Sequence, residues 1–279
     1  MPQAVPLLSV DLGNTTCGLR LQGGPEATDL GRLDPRAANF AADLASLLAE
    51  LLAGRLAGPL SPSAAAALSS VAAPEVESAV RAALRETFGE RFLADLDAGV
   101  EIACRDAHTI GADRLFAARG AAELLGASTL VLDAGTALTV DAVEVLAPVP
   151  GSTAERPARF LGGAIAPGPR LLAEALASAA RLHAIEPRPG VPALGLDTPA
   201  ALAAGVTVGF RGAALELVLR IGEESGLGHG SLAVCGGARD FLLEPPLFAE
   251  STRVHVLPHL VHAGLRAAAE AHLASGGPQ

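Results

Sequence analysis

Along this chain, short apolar runs that end in small polar residues alternate with longer stretches in which apolar residues recur every three or four positions. The first run, closing on "LLSV", predicts a buried strand over residues 6–12, with residues 17–22 as its hairpin partner beyond a polar loop. In "LDPRAANFAADLASLLAELLAGRLAG" the pattern predicts a helix that opens with Asp34 as N-cap and Pro35 in the first helical position and runs to Gly54. "AAAALSSVAAPEVESAVRAALRETFG" reads as strand, turn and helix, with Pro74 opening the helix. "GVEIACR" reads as a short strand, and "GADRLFAARGAAELLG" as a helix with small residues at its entrance. Further on, "FLGGAIAPGPRLLAEALASAARLH" predicts strand, glycine turn and helix, and "GSLAVCGGARDFLLE" predicts strand, Gly-Gly turn and helix. Exposed loops are expected at "APVPGSTAERPARF" and "EPRPGVPALGLDTP". Residues 198–225 form one long helix or two joined at Gly209 or Gly212, and "LVHAGLRAAAEAHLAS" is a closing helix with a frayed end.

One recurrence organises these elements. "LLSVDLGNTTCGLRL" and "TLVLDAGTALTVDAV" are the same device about 120 residues apart: an apolar strand, a turn opened by an aspartate and a glycine, and a second strand. Each begins its own series of strands and then helices. The expected fold class is therefore α/β, with two similar domains, 1–120 and 121–279, facing one cleft.

Composition removes several function classes. A net charge of −10 and the absence of Trp and Tyr argue against a nucleic-acid partner, which needs positive patches and stacking rings. Apolar runs are alanine-rich and broken by Glu, Asp or Arg, so no segment is expected to reach the roughly 18 to 20 residues of a membrane span. "MPQAVPLLSVD" lacks the basic region and long apolar run of a signal peptide, and the expectation is a soluble, cytoplasmic protein. Cys17, Cys104 and Cys235 are too widely spaced for a zinc site or a disulfide framework, and the seven histidines show no metal spacing. All twenty basic residues are arginine. That excludes the P-loop lysine, the protein-kinase lysine and lysine Schiff-base chemistry. Any phosphate must be held by backbone N–H groups, hydroxyls, arginine or a metal.

The two recurring turns suit that task. Glycine lets the backbone approach an anion, and successive N–H groups and threonine hydroxyls donate to its oxygens. An aspartate would repel bare phosphate, so Asp11 and Asp133 are candidate ligands for a cation, Mg2+ or a monovalent ion. A pair of ordinary β-hairpins is the alternative, since Asp, Gly and Asn are common turn residues. The Gly236-Gly237 pair before a helix could let a planar base lie against the backbone. Asp113 and Arg114 open a helix; a first-turn Asp often serves only the helix dipole, but here it could be a base beside a guanidinium that holds an anionic substrate.

With "DLGNTT" at 11–16, "SSVAAPEV" at 69–76, "GADR" at 111–114, "DAGTALTVD" at 133–141, "GGAIAPG" at 162–168, "GLDT" at 195–198 and "CGGA" at 235–238, the chain resembles the type III pantothenate kinases. These belong to the acetate and sugar kinase/Hsc70/actin superfamily. The resemblance implies two ribonuclease H-like (actin-like ATPase) domains with mixed sheets flanked by helices and a nucleotide cleft between them. It implies ATP-dependent phosphorylation of pantothenate, the first step toward coenzyme A, by a homodimer with Mg2+ and K+ or NH4+. On that basis Asp11, Leu12, Gly13, Asn14, Thr15, Thr16, Cys17 and Gly18 form the first phosphate loop, with Asp11 on Mg2+. Thr136 contacts ATP from the second loop, Gly236 and Gly237 the adenosine, and Asp133 holds the monovalent cation. Asp113 is the base for the pantothenate hydroxyl. Cys104, Gly111, Ala112, Asp113 and Arg114 line the pantothenate pocket, and Thr198 touches substrate across the dimer interface. Cys104 and Asp106-Ala107 stand where the family usually has Tyr and Asn-Pro, and "GLDT" replaces the usual "GKNT". Two other readings stay open: a superfamily kinase for another small acceptor, and a non-catalytic ATP-binding regulator.

Overall fold

The computed structural model describes residues 5–23, 27–56, 58, 60–147, 157–180, 184–228 and 230–275. In chain order these form β1 (Leu7–Leu12), β2 (Cys17–Gln22), β3 (Thr28–Leu33), α1 (Phe40–Leu52), β4 (Ala65–Ser70), α2 (Pro74–Phe88), β5 (Phe92–Leu93), β6 (Val100–Ile102) and α3 (Ala112–Leu125). They continue with β7 (Thr129–Ala134), β8 (Ala137–Val145), β9 (Ala158–Pro167), α4 (Pro169–Ala180), α5 (Thr198–Ser225), β10 (Ser231–Cys235), α6 (Asp240–Leu243), β11 (Arg253–Val256) and α7 (Leu260–Ala274).

The recurrence seen in the sequence becomes a repeated topology. One sheet has the order β3-β2-β1-β4-β5 and the other β11-β10-β7-β8-β9-β6. In each, three antiparallel strands (β1-β2-β3; β7-β8-β9) are extended on the far side by parallel ones (β4 and β5; β10 and β11). Val100–Ile102, from the first half of the chain, pairs with β9 at the edge of the second sheet.

Three apolar clusters hold this together. Leu8, Val10, Leu12 and Leu19 of the first sheet pack on Leu44, Leu48, Val80 and Leu84 of α1 and α2. Each such buried side chain contributes about 1.5 to 3 kcal/mol. Leu130, Leu132 and Val140 of the second sheet pack on Phe210, Ala214 and Val218 of α5. Between the sheets lie α3 and α7, with Phe116, Leu260 and Leu265 at the centre of the third cluster. These two helices cross closely because Gly120 of α3 and Gly264 of α7 have no side chain. A Cβ on either would run into the partner's backbone, Leu260 O in one case and Phe116 O in the other. Small residues at this crossing let both sheets rest on one pair of helices.

Some expectations are corrected. Helix α1 begins at Phe40, not at Asp34-Pro35. Asp34 is engaged elsewhere: its carboxylate accepts from the Arg36 backbone and side chain at 2.9 Å, which shapes a turn instead of a cap. The strand, glycine turn and helix expected in "FLGGAIAPGPRLLAEALASAARLH" are found, with Gly162 and Gly163 inside β9 and the turn at Gly168. The segment 198–225 is a single helix, capped by Asp197, whose carboxylate accepts the Ala200 N–H at 2.8 Å. Its middle is also long and apolar enough to cross a membrane by length and composition, contrary to the expectation that no segment would be. One face of it, with Phe210, Ala214 and Val218, is buried in the core of the second sheet. Strands β3, β5 and β11 had no counterpart in the reading of the sequence. The loop expected around 147–158 and the frayed end fall largely outside the described residues.

Candidate active site

Both aspartate turns sit at the ends of the first strands of the two antiparallel units, β1 and β7. In the first, the Gly13 N–H donates to Thr16 O at 2.8 Å; in the second, the Gly135 N–H donates to Ala137 O at 2.9 Å. The turns face each other: Thr15 Oγ1 and Thr136 Oγ1 meet at 2.5 Å, although they are 121 positions apart in the chain. Two rows of small donors thus converge on one gap between the sheets. Within the first loop, Leu12 and Cys17 point their side chains into the core, which leaves only their backbone for a ligand. Burial pushes the Cys17 thiol up to about 12. Asn14 and Thr16 are exposed or partly exposed at the tip, and Gly18 abuts the His262 ring.

The Gly-Gly turn closes over the second aspartate. The Ala238 N–H donates to Ala134 O at 2.7 Å and seats the turn on β7. Gly236 has φ +88°, and a Cβ there would collide with Ala134 O and Asp133 Oδ1. Only glycine satisfies both the backbone angle and the close approach. Beneath it, Asp133 Oδ1 is buried with no hydrogen-bond partner among the described residues.

Asp113 and Arg114 occupy the first turn of α3, next to these turns. Gly111, the residue before the helix, makes room for the Asp113 carboxylate: its Cβ would stand 2.5 Å from Asp113 Oδ1. The Arg114 N–H donates to Asp113 Oδ1 at 2.8 Å. The Arg114 guanidinium turns away and donates through Nε to both oxygens of Asp141 on β8 at 3.1 Å, and through Nη2 to Oδ1. It also stacks over the Phe160 ring, 5.2 Å from the centroid. Asp141 is 1 % exposed, and a Cβ on Gly163 would overlap its Oδ1. Cys104 completes this corner. Its Sγ lies 3.7 Å from the Cβ position of Gly162, where the β8–β9 register shifts.

The carboxylates are close enough to raise one another. Burial, then the charges of Asp133 and Asp113, push Asp11 up to about 7. Burial, then Asp113 and Asp141, push Asp133 up to about 6. Burial also lifts Asp141 to about 6 against the pull of Arg114, and lifts Asp113 above the usual carboxylate range. Gathering negative charge in a buried place is unfavourable unless something positive arrives. A cation is what the donor set lacks, and the orphaned Asp133 oxygen is one place for it. Among the described residues no three His, Cys, Asp or Glu side chains cluster as a protein-only metal site. The geometry suits an ion that completes its shell from ligand oxygens and water, as Mg2+ does.

The structure therefore brings together the first loop, Asp133, Thr136, Gly236 and Gly237, the 111–114 segment and Cys104. It leaves Thr198 apart. That residue opens α5 beside an open cavity of about 540 Å³ lined by Leu176, Leu196, Ala201 and Gly205, none of which belongs to the cleft. Asp141 and Gly163 were missed as site residues. Asp141 ends the quoted "DAGTALTVD" motif, and its place inside that motif was the available signal.

Comparison with known proteins agrees with this geometry. A family model described as type III pantothenate kinase matches residues 7–220. A curated type III pantothenate kinase from Agathobacter rectalis is 36% identical over 145 residues, covering 52% of this chain and 52% of that protein. One from Thermus thermophilus is 36% identical over 149 residues, covering 52% of this chain and 55% of that protein. The matched segment thus spans about half the length of these curated relatives. Among solved structures, MreB5 of Spiroplasma citri bound to ADP superposes with a TM-score of 0.52 at 11% identity, over 99% of this chain and 100% of that one. The likeness shows the fold alone: two mixed sheets flanked by helices, the actin-like architecture.

Proposed function

Since the chain belongs to the type III pantothenate kinase family, we propose that it transfers the terminal phosphoryl group of ATP to the primary hydroxyl of pantothenate, giving 4'-phosphopantothenate. The observation that carries this reading is the meeting of the two turns at Thr15 and Thr136, with Asp113 beside them. Phosphoryl transfer needs positioning and charge neutralisation more than covalent chemistry. The N–H groups and hydroxyls of residues 13–16 and 135–136 would hold the phosphates from both sides. Asp113, lifted by burial, would accept the hydroxyl proton as attack proceeds. Arg114 would stay fixed by Asp141 and present a positive charge to the pantothenate carboxylate, with Gly111, Ala112 and Cys104 shaping the pocket. Asp11 and Asp133 would hold Mg2+ and K+ or NH4+ respectively, and the bound ions would neutralise charge on the transferring group.

A homodimer belongs to the same reading. Leu194 and Leu196 are 78% and 90% exposed beside Thr198, an apolar surface that a second copy would cover. Thr198 would then serve the partner's site.

The deciding experiment is a coupled ADP-release assay with pantothenate, ATP, Mg2+ and K+, run on the wild type and on Asp113→Asn. Wild-type turnover and a loss of about 100-fold or more in the variant are expected, with ATP binding retained. Near-normal turnover in the variant would remove Asp113 from the role of base. No turnover in the wild type would sink the reading.

A further inference from the structure

Among the described residues, eight arginines are engaged in ion pairs: Arg36, Arg81, Arg114, Arg159, Arg170, Arg220, Arg239 and Arg266. Arg32, at the edge of the cleft, is not among them. It lies on β3 directly across from Gly18, the last residue of the first phosphate loop. From there it reaches the other half of the molecule. Its Nη1 is 3.8 Å from the point where a Cβ on Gly237 would stand. Gly237 belongs to the turn that roofs Asp133. Any side chain at 237 would fill the space between this guanidinium and the turn.

Its neighbours sharpen the contrast. Arg239 spends its Nη1 on Gly236 O at 3.0 Å and leans on Asp240. Arg32 is exposed, and among the described residues no carboxylate stands within ion-pair distance of it. Its charge is nevertheless felt at Asp11, on the floor of the cleft. An unpaired guanidinium fork next to glycine backbone and phosphate turns is shaped for a multiply charged oxyanion. With no lysine anywhere in the chain, such work falls to arginine, and Arg32 stands at this edge.

We propose that Arg32 is a cross-cleft phosphate contact. Reaching from the first sheet to the Gly-Gly turn of the second, it binds the polyphosphate of the nucleotide and ties the two sheets together when the cleft is occupied. The proposal rests on the reading that the cleft takes ATP, but not on pantothenate as acceptor.

The test is calorimetric titration of the full chain with Mg-ATP, Mg-ADP and adenosine, without acceptor. Arg32→Ala is expected to weaken Mg-ATP and Mg-ADP about tenfold and leave adenosine unchanged. Arg32→Lys is expected to recover part of the loss, since it restores charge without the fork. Raising salt should weaken Mg-ATP binding more steeply in the wild type than in Arg32→Ala. Unchanged Mg-ATP affinity in Arg32→Ala, or an equal loss for adenosine, would overturn the proposal while leaving the proposed function standing. A wild-type chain that binds no ATP would overturn both.

Discussion

Across from Ser9 in the first hairpin stands Arg20; across from Val131, at the equivalent place in the second, stands Asp141. In each case the charged residue faces the position two before the turn aspartate, so the two halves put opposite charges at one register position. The consequences run outward from there. In the first half, Ser9 donates to Arg20 O at 3.1 Å and lies 2.9 Å from His262 Nδ1, while the Gln22 amide donates to both Ser9 Oγ and His262 O. This neutral network joins the first sheet to α7. In the second half, Asp141 takes a guanidinium and fixes Arg114 beside Asp113. The turns differ as well: a Cβ on Gly13 would meet Thr16 O at 3.3 Å, whereas one on Gly236, over Asp133, would collide with Ala134 O and Asp133 Oδ1. One half of the repeated topology has a turn with Arg20 and Arg32 on the strands around it. The other has an anionic cradle, roofed by Gly236, that fixes Arg114 beside Asp113.

The largest effect should come from the roof. Gly236→Ala forces a methyl into Ala134 O and Asp133 Oδ1 at a positive φ, and should cost about 2 to 4 kcal/mol and most of the activity. Gly13→Ala meets only Thr16 O at 3.3 Å and should cost under about 1 kcal/mol. Thermal melts of the two variants compare the turns directly, and equal losses would erase the distinction drawn between them.

Next in size, Asp141→Asn leaves the half-buried Arg114 charge without its counter-ion. A destabilisation of about 2 to 3 kcal/mol is expected in urea unfolding. In the coupled assay, KM for pantothenate should rise more than KM for ATP. Equal changes in both would mean that the pair only supports the fold.

The first half has its own signature in pH. Burial, then the charge of His259, holds His262 down to about 4, below its ordinary value of 6.5. Its neutral form therefore contributes stability that is fully present above about 6.5 and is lost as pH falls toward 4. The buried carboxylates of the second half act in the opposite sense: Asp141, raised to about 6, favours the folded state most below about 4 and least above 6. His262→Asn should therefore lose less stability than the wild type between pH 6.5 and 5, by about 1 to 2 kcal/mol. Parallel melting curves across that range would show that His262 is not the acid-sensitive group.

The smallest expected effect is ionic. Replacing K+ by Na+ should lower turnover a few-fold, about 1 kcal/mol in the barrier, and Asp133→Asn should abolish the difference. Equal rates in both salts would remove the cation role from Asp133 while leaving that of Asp11 untouched.

Much of this was legible beforehand because it is local. Apolar periodicity places β1, β2, β4, α2, α3, β7, β8, α5 and α7 where they are found. The Asp-Gly turns and the Gly-Gly pair declare themselves by residue type and repetition. The start of α1 was misread because Asp34-Pro35 carries good capping chemistry, which the side chain of Arg36 diverts into a turn. The role of Gly163 was not legible, because glycine marks a turn and room for a neighbour with the same residue type. Here Gly163 exists for the carboxylate of Asp141, on another strand.

What the sequence determined by itself is the duplicated plan, the kind of chemistry each turn can do, and, through the missing lysines, that backbone, hydroxyl, arginine or a metal must hold any phosphate. Those follow from residue types and near-neighbour spacing. Only the tertiary structure decided that Thr15 meets Thr136, that Asp141 steadies Arg114, that Gly236 seals Asp133 and that Arg32 reaches Gly237. Each joins positions far apart in the chain through the packing of two sheets on α3 and α7, and no local pattern encodes a distance across a cleft.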